Sequence, residues 1–177
     1  MQKPESLSRI PRETSVLRHK LFTAIFCIFC LSRVGCDQRE IQSDENHAKE
    51  ELLAVHETGK LAHVTTDVDQ LLANAGETFV SVSNGKISKQ TRIDTKNFFT
   101  NYFDNATYQK YDDLEDPIVR VSKDGTLGWI ISRLHVRRTQ MGVDGVATER
   151  EFVYAGIMLF EKKDDRWIRV GNVSTFE

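Results

Sequence analysis

The chain has 177 residues, with 24 Lys and Arg against 26 Asp and Glu, and it is 40% hydrophobic and 28% charged. That is the composition of a soluble globular domain. Ten glycines and three prolines are too few for a collagen-like or low-complexity chain, and the near-neutral balance gives no basic footprint for nucleic acid.

Met1 to Ser15 is long and polar, and translation is expected to begin near Val16 or Leu17. The apolar run Leu21 to Leu31 that follows is too short to be a bilayer helix, which needs about 20 residues. Arg18, His19 and Lys20 precede it, and the small-residue end Val34-Gly35-Cys36 closes it. Basic, apolar and small segments in that order predict a secretory signal peptide over residues 1–35. All three cysteines lie at or before position 36. Cys27 and Cys30 sit inside the apolar run and leave with it. Cleavage before Cys36 makes that thiol the first residue of the mature chain.

Val34-Gly35-Cys36 resembles the lipobox of bacterial lipoproteins, although Arg33 stands where an aliphatic residue is usual. The resemblance implies a diacylglyceryl group on Cys36 and an acylated amino terminus. Several chains at about 0.8 kcal/mol per buried CH₂ give a firm membrane anchor. The expected location is then a membrane surface facing the periplasm or the cell exterior; the alternative is ordinary cleavage and a soluble periplasmic protein. Removal of six basic and two acidic residues leaves 18 basic against 24 acidic, a formal charge of −6. Such a domain has no electrostatic attraction to nucleic acid or anionic lipid heads. Without further cysteines, apolar burial must hold it together.

Residues 36–43 read as a polar tether, and 44–177 as one domain. Ser43 is a good N-cap for a helix over Asp44 to Val64. Thr66 or Asp67 caps a second helix, Val68 to Asn74, which Gly76 is expected to end. Thr78 to Val82 reads as a strand, and Asn84-Gly85 turns it back through Lys86-Ile87. Asp94 or Thr95 is expected to cap a third helix, with Phe98, Phe99, Tyr102 and Phe103 as a bulky face. Strands follow: Tyr108 to Tyr111, Ile118 to Val121, Leu127 to Arg138, Glu149 to Lys162 and Trp167 to Phe176. Asp124-Gly125, Gly142 to Gly145 and Lys163-Asp164-Asp165 mark turns between them. The expected class is α+β, an antiparallel meander with helices on one face.

Specific segments carry a family resemblance. His56-Glu57-Thr58-Gly59-Lys60-Leu61-Ala62-His63 with Thr66-Asp67-Val68-Asp69, the hairpin Phe79 to Ile87, the turn Val121 to Trp129 and the hairpin Lys162 to Trp167 follow one another in a familiar order. In that order they resemble the SnoaL-like branch of the nuclear transport factor two-like superfamily, over roughly residues 45 to 177. The resemblance implies a cone-shaped curved sheet closed by three helices, with a cavity at its wide end. It implies no single activity. Ketosteroid isomerase-type relatives need a carboxylate base with a buried tyrosine and a protonated acid. Here the first hairpin offers Ser81, Ser83 and Asn84, so that set does not carry over.

The strongest local signal lies on the first helix. At 100° per residue, His56, Lys60, His63 and Asp67 fall at about 0°, 40°, −20° and 20°. Leu52 and Leu53 flank the stripe, which suggests polar groups turned inward. These four residues, with Tyr111 and Trp129, are the candidate ligand-binding set. His56 and His63 are the candidate proton carriers. The plainer reading pairs His56 with Lys60 and His63 with Asp67 along the helix surface, with Asp67 as a cap. No metal site and no cofactor are expected: His63 and Asp67 are one turn apart, but His56 lies two turns away, about 10.5 Å along the axis. His135 reads as a surface residue. The run Asp112, Asp113, Glu115 and Asp116 reads as a solvated loop. Trp129, Tyr154 and Trp167 suit either a core or a pocket wall.

Three functions remain open from the sequence. One is a small-molecule-binding domain. Another is a metal-independent isomerase, cyclase or lyase with a helix-one histidine as acid and base. The third is a homodimeric module that pairs through its sheet.

Overall fold

The computed structural model describes residues 44–177. The expected signal peptide, the lipidation site Cys36 and the tether lie outside the described residues. A first helix, α1, covers residues 44–64. α2 (Val68–Leu71), β1 (Ala75–Ser83), β2 (Lys86–Thr91), α3 (Arg92–Asp104) and β3 (Ala106–Asp113) follow. β4 (Ile118–Val121), β5 (Leu127–Met141), β6 (Ala147–Lys163) and β7 (Arg166–Phe176) complete the chain.

The class is α+β, with one curved seven-stranded sheet in the order β2-β1-β7-β6-β5-β3 and β4 beside β5. The β5-β6-β7 meander is antiparallel as its turns require. The pairing of β1 with β7 is parallel, so the sheet is mixed. Asn84 and Gly85 both have positive φ, 50° and 72°, the backbone of a tight two-residue hairpin. Asp164 and Asp165 do the same between β6 and β7, at 49° and 56°.

Two helix boundaries differ from expectation. α3 starts earlier, with Thr91 as N-cap and Asp94 completing a capping box. Asp94 is the third helical residue and Thr95 is buried inside the helix. β2 runs straight into this cap with no loop to announce it. α2 ends at Leu71, and Gly76 is the second residue of β1. A Cβ on Gly76 would sit 3.3 Å from the Arg169 carbonyl oxygen, so glycine serves strand packing there.

Alternation along β5 turns Gly128, Ile130, Ser132, Leu134 and Val136 to one face. The helices cover that face in two apolar clusters. One joins Ala48 and Leu52 of α1 to Val119, Ile130, Phe160 and Trp167. The other joins Ala62, Leu71 and Phe103 to Ala106, Tyr108, Leu134 and Val136. Gly128 sits where Leu52 and the Trp167 ring press on the sheet: an added Cβ would lie 2.6 Å from Leu52 Cδ1 and 3.1 Å from the indole. Glu51 fixes α1 to the last hairpin, accepting from Trp167 Nε1 and Lys162 Nζ at 2.9 Å each. Between the two clusters, on both α1 and β5, the inward residues are polar.

Candidate functional site

On α1 the row Ala48, Leu52, His56, Lys60 advances four residues at a time, so its apolar half leads directly into its polar half. His56 is 4% exposed and needs a partner. Asp113, at the end of β3, supplies it. His56 Nε2 lies 2.9 and 3.0 Å from the two Asp113 carboxylate oxygens. An ionised carboxylate only accepts, so Nε2 carries the proton. Lys60 Nζ donates to the same carboxylate at 2.7 Å and pairs with Glu57 at 2.7 Å. Burial opposes its charge, but the bonds to Asp113 and Glu57 outweigh burial and leave its pKa above the usual value. His56, Glu57 and Asp113 each bring a potential metal-ligating atom within 4.8 Å of the others. The Lys60 ammonium lies against both carboxylates, where a cation would sit.

Of these groups, His56 and Lys60 border a cavity of about 370 Å³, near the lower end for small-molecule sites. His63 lies deeper along its wall. Its Nδ1 donates to the Gly59 carbonyl oxygen at 2.8 Å. Its ring stacks on Tyr111 with centroids 4.1 Å apart and planes 10° from parallel. Burial lowers its pKa to about 4, against the opposing Gly59 bond and with help from the positive charge of Arg169. The ring is therefore neutral near pH 7, with Nε2 left as an acceptor. Burial likewise raises the Tyr111 and Tyr154 hydroxyls.

One charge on the wall has no counterion among the described residues. Arg169 of β7 reaches into the cavity and stands over the Phe79 ring, 5.0 Å from its centroid. Among the described residues its side chain makes no ion pair and no hydrogen bond. Burial lowers its pKa, opposed by the Tyr154 and Tyr111 hydroxyls, yet a guanidinium remains charged at any physiological pH. Beside it, the Asn172 amide oxygen is buried without a partner.

Arg169 faces inward because of a bulge. Phe160 of β6 pairs with Arg169 and the next residue back, Leu159, pairs with Gly171, so Val170 is extra. Trp167 and Arg169 before the bulge then share a face with Asn172, Ser174 and Phe176 after it.

Four of the candidate residues, His56, Lys60, His63 and Tyr111, border the cavity. Asp67 does not. It is exposed, and its carboxylate accepts from the Gln70 amide at 2.9 Å to cap α2. Trp129 does not either; as an odd residue of β5 it lies on the outer face of the sheet. Asp113 and Arg169 are site residues that the sequence alone does not single out. Asp113 belongs to a strand, not a solvated loop, and its neighbours Asp112, Glu115 and Asp116 are exposed as expected. Tyr111 carried the signal: two residues further along a strand is the same face. For Arg169, alternation gives two answers: counting from Trp167 turns it inward and counting back from Ser174 turns it outward, because the bulge lies between.

No protein-family model matches the chain, and no curated protein matches it in sequence. Among solved structures it is similar to a ketosteroid isomerase-like protein from Erwinia carotovora atroseptica SCRI1043. That likeness has a TM-score of 0.58 and 14% identity, over 74% of this chain and 97% of that one. It is also similar to an NTF2-like protein of unknown function from Prochlorococcus sp. NATL2A (TM-score 0.56, 15% identity, 72% and 91% covered). An NTF2-like protein from Cytophaga hutchinsonii gives 0.54 and 13%, with 70% and 93% covered. Identities this low speak for the fold alone, and that fold is nuclear transport factor two-like.

Proposed function

We propose that this domain binds a small organic anion, with the anionic oxygens on Arg169 and an apolar body against Phe79, Tyr111 and Phe160. The observation that carries this reading is the unpaired Arg169 guanidinium inside a cavity. A desolvated charge without a partner costs free energy that a carboxylate ligand would offset. Lys60 is already neutralised by Asp113 and Glu57, so Arg169 is the group left to select charge. The motif order supports, on this proposal, membership of the SnoaL-like branch. The test is thermal stabilisation by a series of aryl and alkyl carboxylates beside their neutral amides. Carboxylates are expected to raise Tm more than amides, and Arg169→Gln is expected to abolish the difference. Equal shifts in the unaltered protein would reject the reading.

A second reading rests on the His56–Asp113 pair. A buried imidazole oriented by a carboxylate is the arrangement of a general acid/base, and supports an isomerase, cyclase or lyase acting on the bound anion. It requires turnover that Asp113→Asn lowers without weakening binding.

Two further parts of the proposal concern location and assembly. The signal-peptide and lipobox pattern supports export and an anchor at Cys36; Cys36→Ser should move the protein from the membrane to the soluble fraction. The outer sheet face supports a homodimer. Val80, Val173, Leu159, Ile131 and Ile118 are exposed there, and the strand registers make them direct or diagonal neighbours across five strands. Leu159→Glu should yield monomers by light scattering.

A further inference from the structure

A second cavity backs onto the first across the His63, Tyr111 and Tyr154 side chains, which border both. It is larger, about 800 Å³, and more open. Two arginines stand in it. Arg138 of β5 and Arg150 of β6 are direct cross-strand partners, a like-charge pair that destabilises a sheet.

Alternation explains why no neighbouring carboxylate of the sheet neutralises them. Glu149 and Glu151 flank Arg150 in sequence and therefore point to the opposite face. Their register partners are Thr139 and Arg137, and Glu151 pairs with His135. The carboxylates of this end of the sheet thus lie outside with Arg137 and His135, while Arg138 and Arg150 lie inside together. Among the described residues neither guanidinium makes an ion pair.

Arg138 is also held in place. Its guanidinium lies 4.6 Å from the Tyr102 ring centroid and 5.8 Å from that of Phe152. It donates to the Gln140 side-chain oxygen, and its buried Nε has no partner. Arg150 is exposed at the mouth. Phe98, Tyr108 and Phe176 add further ring surface.

We propose that the Arg138–Arg150 cleft is a second anion site, selective for a planar aromatic oxyanion. The two forks take the oxyanion head, by the paired geometry guanidinium offers to carboxylate, sulfonate or phosphate. Tyr102 and Phe152 take the ring. The site is independent of Arg169, which faces the other cavity.

The test is calorimetric titration with naphthalene-2-sulfonate, with 2-naphthol as the neutral control, on the domain and on Arg150→Gln, Arg138→Gln and Arg169→Gln variants. An equivalent of sulfonate should bind that survives Arg169→Gln and weakens about ten-fold or more in Arg150→Gln and Arg138→Gln. Arg150→Gln should also raise the Tm of the unliganded protein, since it removes the repulsion, and so move stability and binding in opposite directions. A purely structural arginine would lower both. Sulfonate binding unchanged by Arg150→Gln, or lost altogether in Arg169→Gln while that variant remains folded by circular dichroism, would overturn the proposal. So would a lower Tm in unliganded Arg150→Gln.

Discussion

Acidification should loosen this domain through His63, at a pH well above the carboxylate range. The folded ring titrates at about 4, whereas an unfolded histidine titrates at about 6.5. Between those values the unfolded chain holds a proton that the folded chain excludes. Stability therefore falls as pH falls, beginning near the unfolded value and levelling off below the folded one. Linkage gives a loss of about 2 kcal/mol between pH 7 and pH 5 from this group alone. The physical origin is burial: protonation would put a cation between Tyr111 and the rings of Phe103 and Tyr108, within the field of Arg169. His63→Asn keeps a donor for the Gly59 carbonyl and removes the titration. Urea unfolding at pH 7 and pH 5 measures both proteins. The variant should be less stable overall, because it loses the stack, but its pH dependence should be shallower by about 2 kcal/mol. Equal pH dependence in the two proteins would refute the burial argument.

Other perturbations have equally definite outcomes. Asp113→Ala leaves the His56 imidazole buried and unpaired, and should cost about 1–3 kcal/mol in chemical denaturation; an unchanged midpoint would mean His56 has another partner. Leu52→Ala should cost about 2–5 kcal/mol, since Leu52 is fully buried. Gly128→Ala drives a methyl to within 2.6 Å of Leu52 and should cost about 1–3 kcal/mol alone. In the double variant the cavity left by Leu52 accepts that methyl, so the two costs should sum to more than the observed loss; strict additivity would contradict the contact.

Much of the fold is legible because its physics is local. The body of α1 follows from the apolar and polar residues that repeat every three or four positions along it, and the long strands from period-two alternation between glycine or aspartate turns. The parallel β1–β7 pair is not legible, because it joins segments some ninety residues apart with no turn to report it. The early start of α3 is hidden because Thr91 is at once the last residue of β2 and a cap. At the site, α1 is readable since three of its four polar residues repeat on one face. The fourth, Asp67, lies past the helix end, where the same side chain serves as a cap. Asp113 is masked by acidic neighbours that really are solvated. Arg169 is masked because its strand gives conflicting signals: Trp167 turns it inward and Ser174 outward, and the unpaired Val170 that reconciles them is set by pairing across the sheet.

The anion's position is the most direct test of the central claim. A crystal structure with 3-phenylpropanoate should place the carboxylate within hydrogen-bond distance of Arg169, with the phenyl ring against Phe79 and Tyr111. A carboxylate bound only at Arg138 and Arg150, or only on the protein surface with the inner cavity holding water alone, would contradict it.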